Sequence, residues 1–235
     1  AALSSYQLGQ LGLPSGTYTV TFTGGGMNTT VTSTVTIGSQ NVKLDAMRGL
    51  FDGSMKLYLR VDAPADIARA VQFAKTQGVE DVVVIASDGL MDVADLLIAH
   101  DVPVIVEGVH RLPQHDHSAI DSPYRLPARL VAKGLRVGLT YPGLMNARNL
   151  PFIAGTVSAY GLDRESALRM ITLSNAEILG IDDRLGSISP GKDATFFVSS
   201  GDALDMRGND VTLAFINGRE LALAGMQQEL YKRYR

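Results

Sequence analysis

The chain has no cysteine, no tryptophan and only four histidines in 235 residues. Without cysteine there is no disulfide framework, no thiolate metal site and no cysteine nucleophile. No apolar run approaches the roughly 18–20 residues that a membrane span requires. Positive charge is not in excess either. Lys and Arg number 21 against 24 Asp and Glu, a formal net charge of -3, which leaves no electrostatic footprint for nucleic acid. The sequence opens Ala-Ala, without Met and without the charged and apolar regions of a signal. It reads as a processed, trimmed or engineered start. What is present is a chain that is 46% hydrophobic, long enough for one large domain or two small ones with a real core.

Charge itself is missing from residues 1–42. There Thr17 to Thr23 alternates hydroxyl and larger apolar residues, Gly24-Gly25-Gly26 supplies a turn, and Thr29 to Ile37 alternates again with Val31, Val35 and Ile37 on one face. The pattern predicts a β-hairpin with one apolar face, which needs a further layer because an isolated hairpin is marginal in water. From Lys43 the pattern becomes strand, helix, strand, helix. Strands are expected at 56–61, 82–86, 102–106 and 135–140, and helices at 64–77, 92–100, 123–133, 149–160, 164–173 and 175–179. This alternation implies parallel βαβ units with right-handed crossovers. After Gly180 strands are expected at 194–199, 211–217 and 219–223, the last two joined by the hairpin dipeptide Asn217-Gly218, with a polar helical tail at 227–234.

Three stretches carry a resemblance. They are Leu185-Gly186-Ser187-Ile188-Ser189-Pro190-Gly191-Lys192-Asp193-Ala194-Thr195, then Ala214-Phe215-Ile216-Asn217-Gly218-Arg219-Glu220, and upstream Asn175-Ala176-Glu177-Ile178-Leu179-Gly180. With Arg148 to Phe152 and Ala167 to Thr172 they resemble the C-terminal part of the amidohydrolase superfamily, nearest to its imidazolonepropionase-like members, over roughly residues 44–235. That family hydrolyses C–N and related bonds on a (β/α)8 barrel with a small β-sandwich. The resemblance implies that the four strands are the last four of the barrel and that the first four are missing, together with their ligands. It places the remaining ligand positions near Arg60, Ala86-Ser87 and Thr140-Tyr141, none of which matches the family's ligand types. The expected fold is therefore α/β, half of a (β/α)8 barrel built from four βα units, plus a small β-sandwich or hairpin domain from both chain ends. The expected division is 1–43, 44–180 and 181–235, with 17–37 packing beside the C-terminal strands.

In a barrel, functional residues gather at the C-terminal ends of strands. Those positions carry Arg60, Asp62, Asp88, Glu107, His110, Tyr141 and Arg148. Three of the four histidines fall in one loop. His110, His115 and His117, helped by Glu107 or Asp121, are the ligand set for a divalent metal, zinc by preference, since a catalytic zinc wants three protein ligands and an open position. A solvated loop that happens to be histidine-rich is the other reading. Metal-free acid–base catalysis by Glu107, His110 and Tyr141 is a further one. Arg60, Asp62, Asp88 and Arg148 are the expected substrate-binding residues, with Arg60 and Asp62 forming an ion pair at a strand end. His100, at a helix end, complements the helix dipole. The reading adopted is a hydrolase of an activated amide, ester or phosphoester with a small-molecule substrate. Its alternative is a non-catalytic binding or structural fragment. Half a barrel leaves two open strand edges, so a homodimer that completes the barrel is expected.

Overall fold

The computed structural model describes residues 16–24, 27–35, 42–114 and 116–235. It divides into two compact units, residues 1–52 and 53–235. In the first, β1 (Gly16–Gly24) and β2 (Met27–Val35) form an antiparallel two-stranded sheet. Its register sets Val20 opposite Val31 and Gly24 opposite Met27. The ladder thus starts nearer the turn than the alternation at Thr29 suggested, and Ile37 lies outside the described residues. A helical turn at Val42–Asp45 and a 3-10 turn at Arg48–Leu50 follow.

The second unit opens with the expected alternation. β3 (Leu57–Arg60), β4 (Val82–Ala86), β5 (Val104–Glu107) and β6 (Val137–Thr140) are parallel and adjacent in chain order. α1 (Pro64–Thr76), α2 (Ala94–Ala99) and α3 (Ser122–Ala132) make the crossovers. Proline at the first turn of α1 and α3 costs no hydrogen bond there, because those N–H groups have no helical partner. This is half of a (β/α)8 barrel. One face of the sheet is the main core. Val82, Val84, Val104, Val106, Val137 and Leu139 are all 3% exposed or less, as are Ile67, Val71, Leu97 and Leu130 of the crossover helices. A strand buried on that side reads as a nearly continuous apolar run.

The register assigns the other face. Arg60, Ile85, Ile105 and Gly138 lie side by side in one row, with Glu107 and Thr140 one row above, toward the C-terminal strand ends. In a whole barrel this face points inward. Here its lower part is filled by a later helix. A 3-10 turn, Leu144–Asn149, leads into α4 (Leu150–Ala159), α5 (Arg164–Ile171) and α6 (Leu173–Leu179). The backbone breaks between α5 and α6 at Thr172 (φ -124, ψ -96), and α6 ends on Gly180 in the left-handed conformation at φ 73, where glycine carries no steric cost. Ile178 of α6 packs with Val83 and Ile105 in one buried cluster, with Ile85 against it. Asn175 of α6 donates from Nδ2 to the Leu139 carbonyl at 2.9 Å, a carbonyl on the free side of β6. Lys56 Nζ donates to the Ile178 carbonyl at 2.9 Å.

Beyond α6 the chain forms a three-stranded antiparallel sheet of β7 (Phe196–Ser199), β8 (Val211–Ile216) and β9 (Arg219–Glu220). Phe196 stacks on Phe215 across the first pair at 5.1 Å. Asn217 and Gly218 both have positive φ, 49 and 74, as a two-residue hairpin turn requires. β9 is shorter than the expected 219–223. Leu204, in the β7–β8 connection, is buried with its carbonyl close over Gly155 of α4. α7 (Met226–Tyr234) closes the chain. Among the described residues no helix is long and apolar enough to cross a membrane.

The seat of α6 is testable at Gly138. A Cβ there would lie 2.0 Å from Asn175 Oδ1 and 3.3 Å from Ile178 Cδ1. Gly138→Ala is expected to cost on the order of 1–3 kcal/mol in a denaturant titration. Combined with Asn175→Ala, the loss should be smaller than the sum of the two single losses. Strict additivity would show that the two residues do not meet.

Candidate functional site

Above the seat of α6 the inner face turns polar. Arg60 at the end of β3 reaches over β4 to Glu107 at the end of β5. Its Nε donates to Glu107 Oε2 at 3.2 Å and its Nη2 to Oε1, a two-pronged pair. Glu107 is 16% exposed at its side chain and Arg60 66%. The carboxylate is therefore the fixed partner, and the guanidinium keeps an open flank. The expected Arg60–Asp62 ion pair is not the one formed. β3 ends at Arg60 and the chain turns, so Asp62 leaves that face and serves the neighbouring loop instead.

Asp62 Oδ1 accepts from the Ser87 amide at 2.6 Å and from the Ser87 hydroxyl at 2.8 Å. Burial pushes the Asp62 carboxyl up, but the Ser87 bonds, a further backbone bond from Asp88 and the Arg111 charge outweigh it and hold it below the ordinary carboxylate value. Gly89 makes this close approach possible. Its φ is +71, and a Cβ would sit 2.2 Å from the Asp62 carbonyl oxygen. Arg111 ties the next loop to the same platform, donating to the Ser87 carbonyl at 2.5 Å and lying 3.2 Å from Asp88 Oδ2. Asp88 Oδ1 also accepts from the Gly89 amide. Arg111 was not among the residues singled out from the sequence. Its only sequence signal is its place after a strand end, which many surface arginines share.

His110 turns away from the inner face. Its Nε2 lies 2.6 Å from Thr156 Oγ1 on α4. The Thr156 hydroxyl itself donates to the Phe152 carbonyl at 3.0 Å, so it accepts from His110. That leaves Nε2 protonated and Nδ1 as the acceptor. The ring also meets Tyr124 edge-on at 6.4 Å, and Tyr124 packs on Tyr160 at 5.1 Å. Glu107 thus bonds to Arg60 and His110 to Thr156. No hydrogen bond among the described residues joins either to the other or to Tyr141, which follows the end of β6. Arg148 is exposed on the 3-10 turn before α4. Of the three-histidine set, His115 lies outside the described residues. Among the described residues no group of three or more His, Asp or Glu is arranged to hold a metal.

Among the described residues, clefts lie at both ends of the strands. One, of about 300 Å³, lies at their N-terminal ends between Lys56, Val82, Pro103 and Arg136, the end of a barrel that serves stability. The other, of about 270 Å³, lies at the C-terminal ends beside Asp88 and Arg111.

An eight-stranded barrel fold halved, with polar groups at the C-terminal strand ends, defines the class. The chain belongs to the amidohydrolase family, whose model matches residues 37–221. No curated protein matches it. Among solved structures it is similar to an amidohydrolase from Thermotoga maritima MSB8, with 24% identity, a TM-score of 0.68, and coverage of 79% of this chain and 48% of that one. It is also similar to a prolidase complexed with N-methylphosphonate-L-proline, at 20% identity and a TM-score of 0.57, covering 74% of this chain and 47% of that one. A third is an adenosine deaminase from Xanthomonas campestris with bound zinc, at 18% identity and a TM-score of 0.54, covering 82% and 53%. The chain spans about half the length of these structures.

Family members usually bind a divalent metal, and the residues at the three positions that the resemblance gives to ligands do not fit one. Arg60 is a cation already paired to Glu107. Ser87 spends its hydroxyl on Asp62. Thr140 uses its carbonyl to accept from Gly108 at 3.3 Å, and a neutral hydroxyl is a poor substitute for carboxylate or imidazole.

His110 gives a pH prediction. Burial against its neighbours holds its pKa below the ordinary histidine value. Folding then favours the neutral ring, so its contribution to stability is present above about pH 6.5 and is lost as the pH falls toward the depressed folded value. NMR titration should place the His110 midpoint below about 6.5. His110→Gln should flatten the fall in stability between about pH 7 and 5. A midpoint at or above the ordinary value contradicts the packing described.

Proposed function

We propose that the chain is the substrate-binding half of a hydrolase, with Arg60 as the group that takes the anionic part of a small-molecule substrate. The carrying observation is the Arg60–Glu107 pair. A guanidinium fixed on one flank by a mostly buried carboxylate and open on the other is preorganised for a carboxylate, phosphate or phosphonate. The phosphonate ligand of the similar prolidase supports that chemistry. The bond hydrolysed would be an activated amide, ester or phosphoester. Asp62 and Asp88 hold the loop platform beside it, and Tyr141 and Arg148 border the same strand ends.

A closed site needs more than these four strands. Among the described residues β3 and β6 each have one hydrogen-bonded strand neighbour, and such edges call for a partner. A second copy related by a two-fold axis is the proposed one. The divalent metal, zinc by the chemistry of the loop, belongs to the proposal only through His115, His117 and the Nδ1 of His110. A second reading, a binding module without turnover, is favoured by Arg60, Ser87 and Thr140 standing where ligands belong.

Turnover of activated esters, amides and phosphoesters, measured with the mass of the chain in solution, separates these readings. The hydrolase reading expects a dimer and a loss of roughly 10²-fold or more in kcat/KM for Arg60→Met. Chelation should abolish activity only if the histidine loop holds the metal. Turnover that is unchanged in Arg60→Met sinks the proposed role. No turnover with retained anion binding by Arg60 selects the binding module.

A further inference from the structure

The cleft at the C-terminal strand ends opens on the outer side of the sheet, between the loop after β4 and the first two turns of α3. Neither Arg60 nor Glu107 lines it. Met91, Leu126, Pro64 and Pro123 give it an apolar part, with Leu126 and Pro123 themselves buried, and Gln114, Ser118 and Ser122 line the rest. Two pairs of opposite charge line it. The inner pair, Asp88 and Arg111, is spent, since the two face each other at 3.2 Å and Arg111 also donates to the Ser87 carbonyl. The outer pair is not. Asp92 and Arg129 both line the cleft and are both exposed. Among the described residues neither side chain has a hydrogen-bond or ion-pair partner.

A carboxylate and a guanidinium that share one small cleft without pairing can be bridged by a molecule carrying both opposite charges. The apolar residues of the same lining suit a short hydrocarbon body. About 270 Å³ is at the small end of ligand pockets, which run from about 300 to 1,000 Å³, and suits a ligand of single-amino-acid size. We propose that this cleft binds a small zwitterion with an apolar side chain, of the free α-amino acid class. Arg129 takes its carboxylate, Asp92 its ammonium, and Met91 and Leu126 its side chain. The inner Asp88–Arg111 pair acts as the rigid back wall, held by Ser87 and Gly89. This site is separate from the inner face and does not depend on turnover there.

The test is calorimetric titration of the full chain with L-leucine, L-leucinamide and N-acetyl-L-leucine. The first has both charges, the second lacks the carboxylate, and the third lacks the ammonium. Saturable binding is expected for leucine, with roughly tenfold or greater weakening for each of the others. Arg129→Gln and Asp92→Asn should each weaken leucine binding by a similar factor. Both positions are exposed, so far-UV circular dichroism should be unchanged. In Asp92→Asn, N-acetyl-L-leucine should bind no worse than leucine. The proposal is overturned by no saturable heat up to about 10 mM leucine, by equal binding of all three compounds, or by leucine binding that both substitutions leave intact.

Discussion

The contact of α6 with the inner face of the sheet decides what the rest of the unit can be. Four parallel strands have two faces to bury and two edges to satisfy, and the crossover helices cover only one face. Gly138 has no side chain, so α6 can descend onto that row and set Ile178 against Val83 and Ile105. The hydrophobic gain of one such buried aliphatic side chain is about 1.5–3 kcal/mol, large against the margin of a small domain. Asn175 rides down with it and satisfies a carbonyl on the free side of β6. The same seat divides the inner face in two. Below, Ile178 fills it against Val83 and Ile105. Above, where α6 does not reach, it carries Glu107 and Thr140, and Arg60 reaches up to Glu107 from the row below.

That division explains the character of the candidate site. A charged pair in the lower layer would be stripped of water and costly. At the upper rim Glu107 is largely covered while Arg60 keeps solvent on one flank, so the pair persists without a large desolvation cost and still has donors to offer. The loops outside the rim follow another logic. Asp62, Ser87, Asp88 and Arg111 are bound to one another and to backbone, and the glycine at position 89 lets two loops touch. They form a wall more than a set of reagents. His110, placed by the sequence among the chemical groups, is instead packed between α3 and α4 through Tyr124 and Thr156.

Much of this was legible in the chain because it is local. Alternation of apolar runs and helical stretches marked all four strands and their crossovers. Pro64 and Pro123 marked helix starts, Gly180 marked a helix end, and Asn217-Gly218 marked the hairpin. Each depends on the conformational preferences of a few neighbouring residues, which the sequence states directly. The uncharged hairpin was legible as well, although its ladder begins closer to the turn than the apolar alternation suggested.

The site was legible only as a region. A barrel scaffold says that strand ends carry function, and Arg60, Asp62, Asp88 and Glu107 lie at such ends. Which of them meet was decided by register and curvature across the sheet. Arg60 and Glu107 are 47 residues apart, His110 and Thr156 are 46 apart, and Asn175 and Leu139 are 36 apart. Nearness in sequence favoured Arg60 with Asp62, yet the end of β3 at Arg60 sends the two side chains to different neighbours. The sequence by itself determined the parallel α/β order, the family and the charge-free start, because these follow from composition and short-range pattern. Only the tertiary structure decided which carboxylate holds Arg60, where His110 turns, and which charges at the outer cleft have no partner among the described residues. Those outcomes depend on distances between segments that the chain order does not contain.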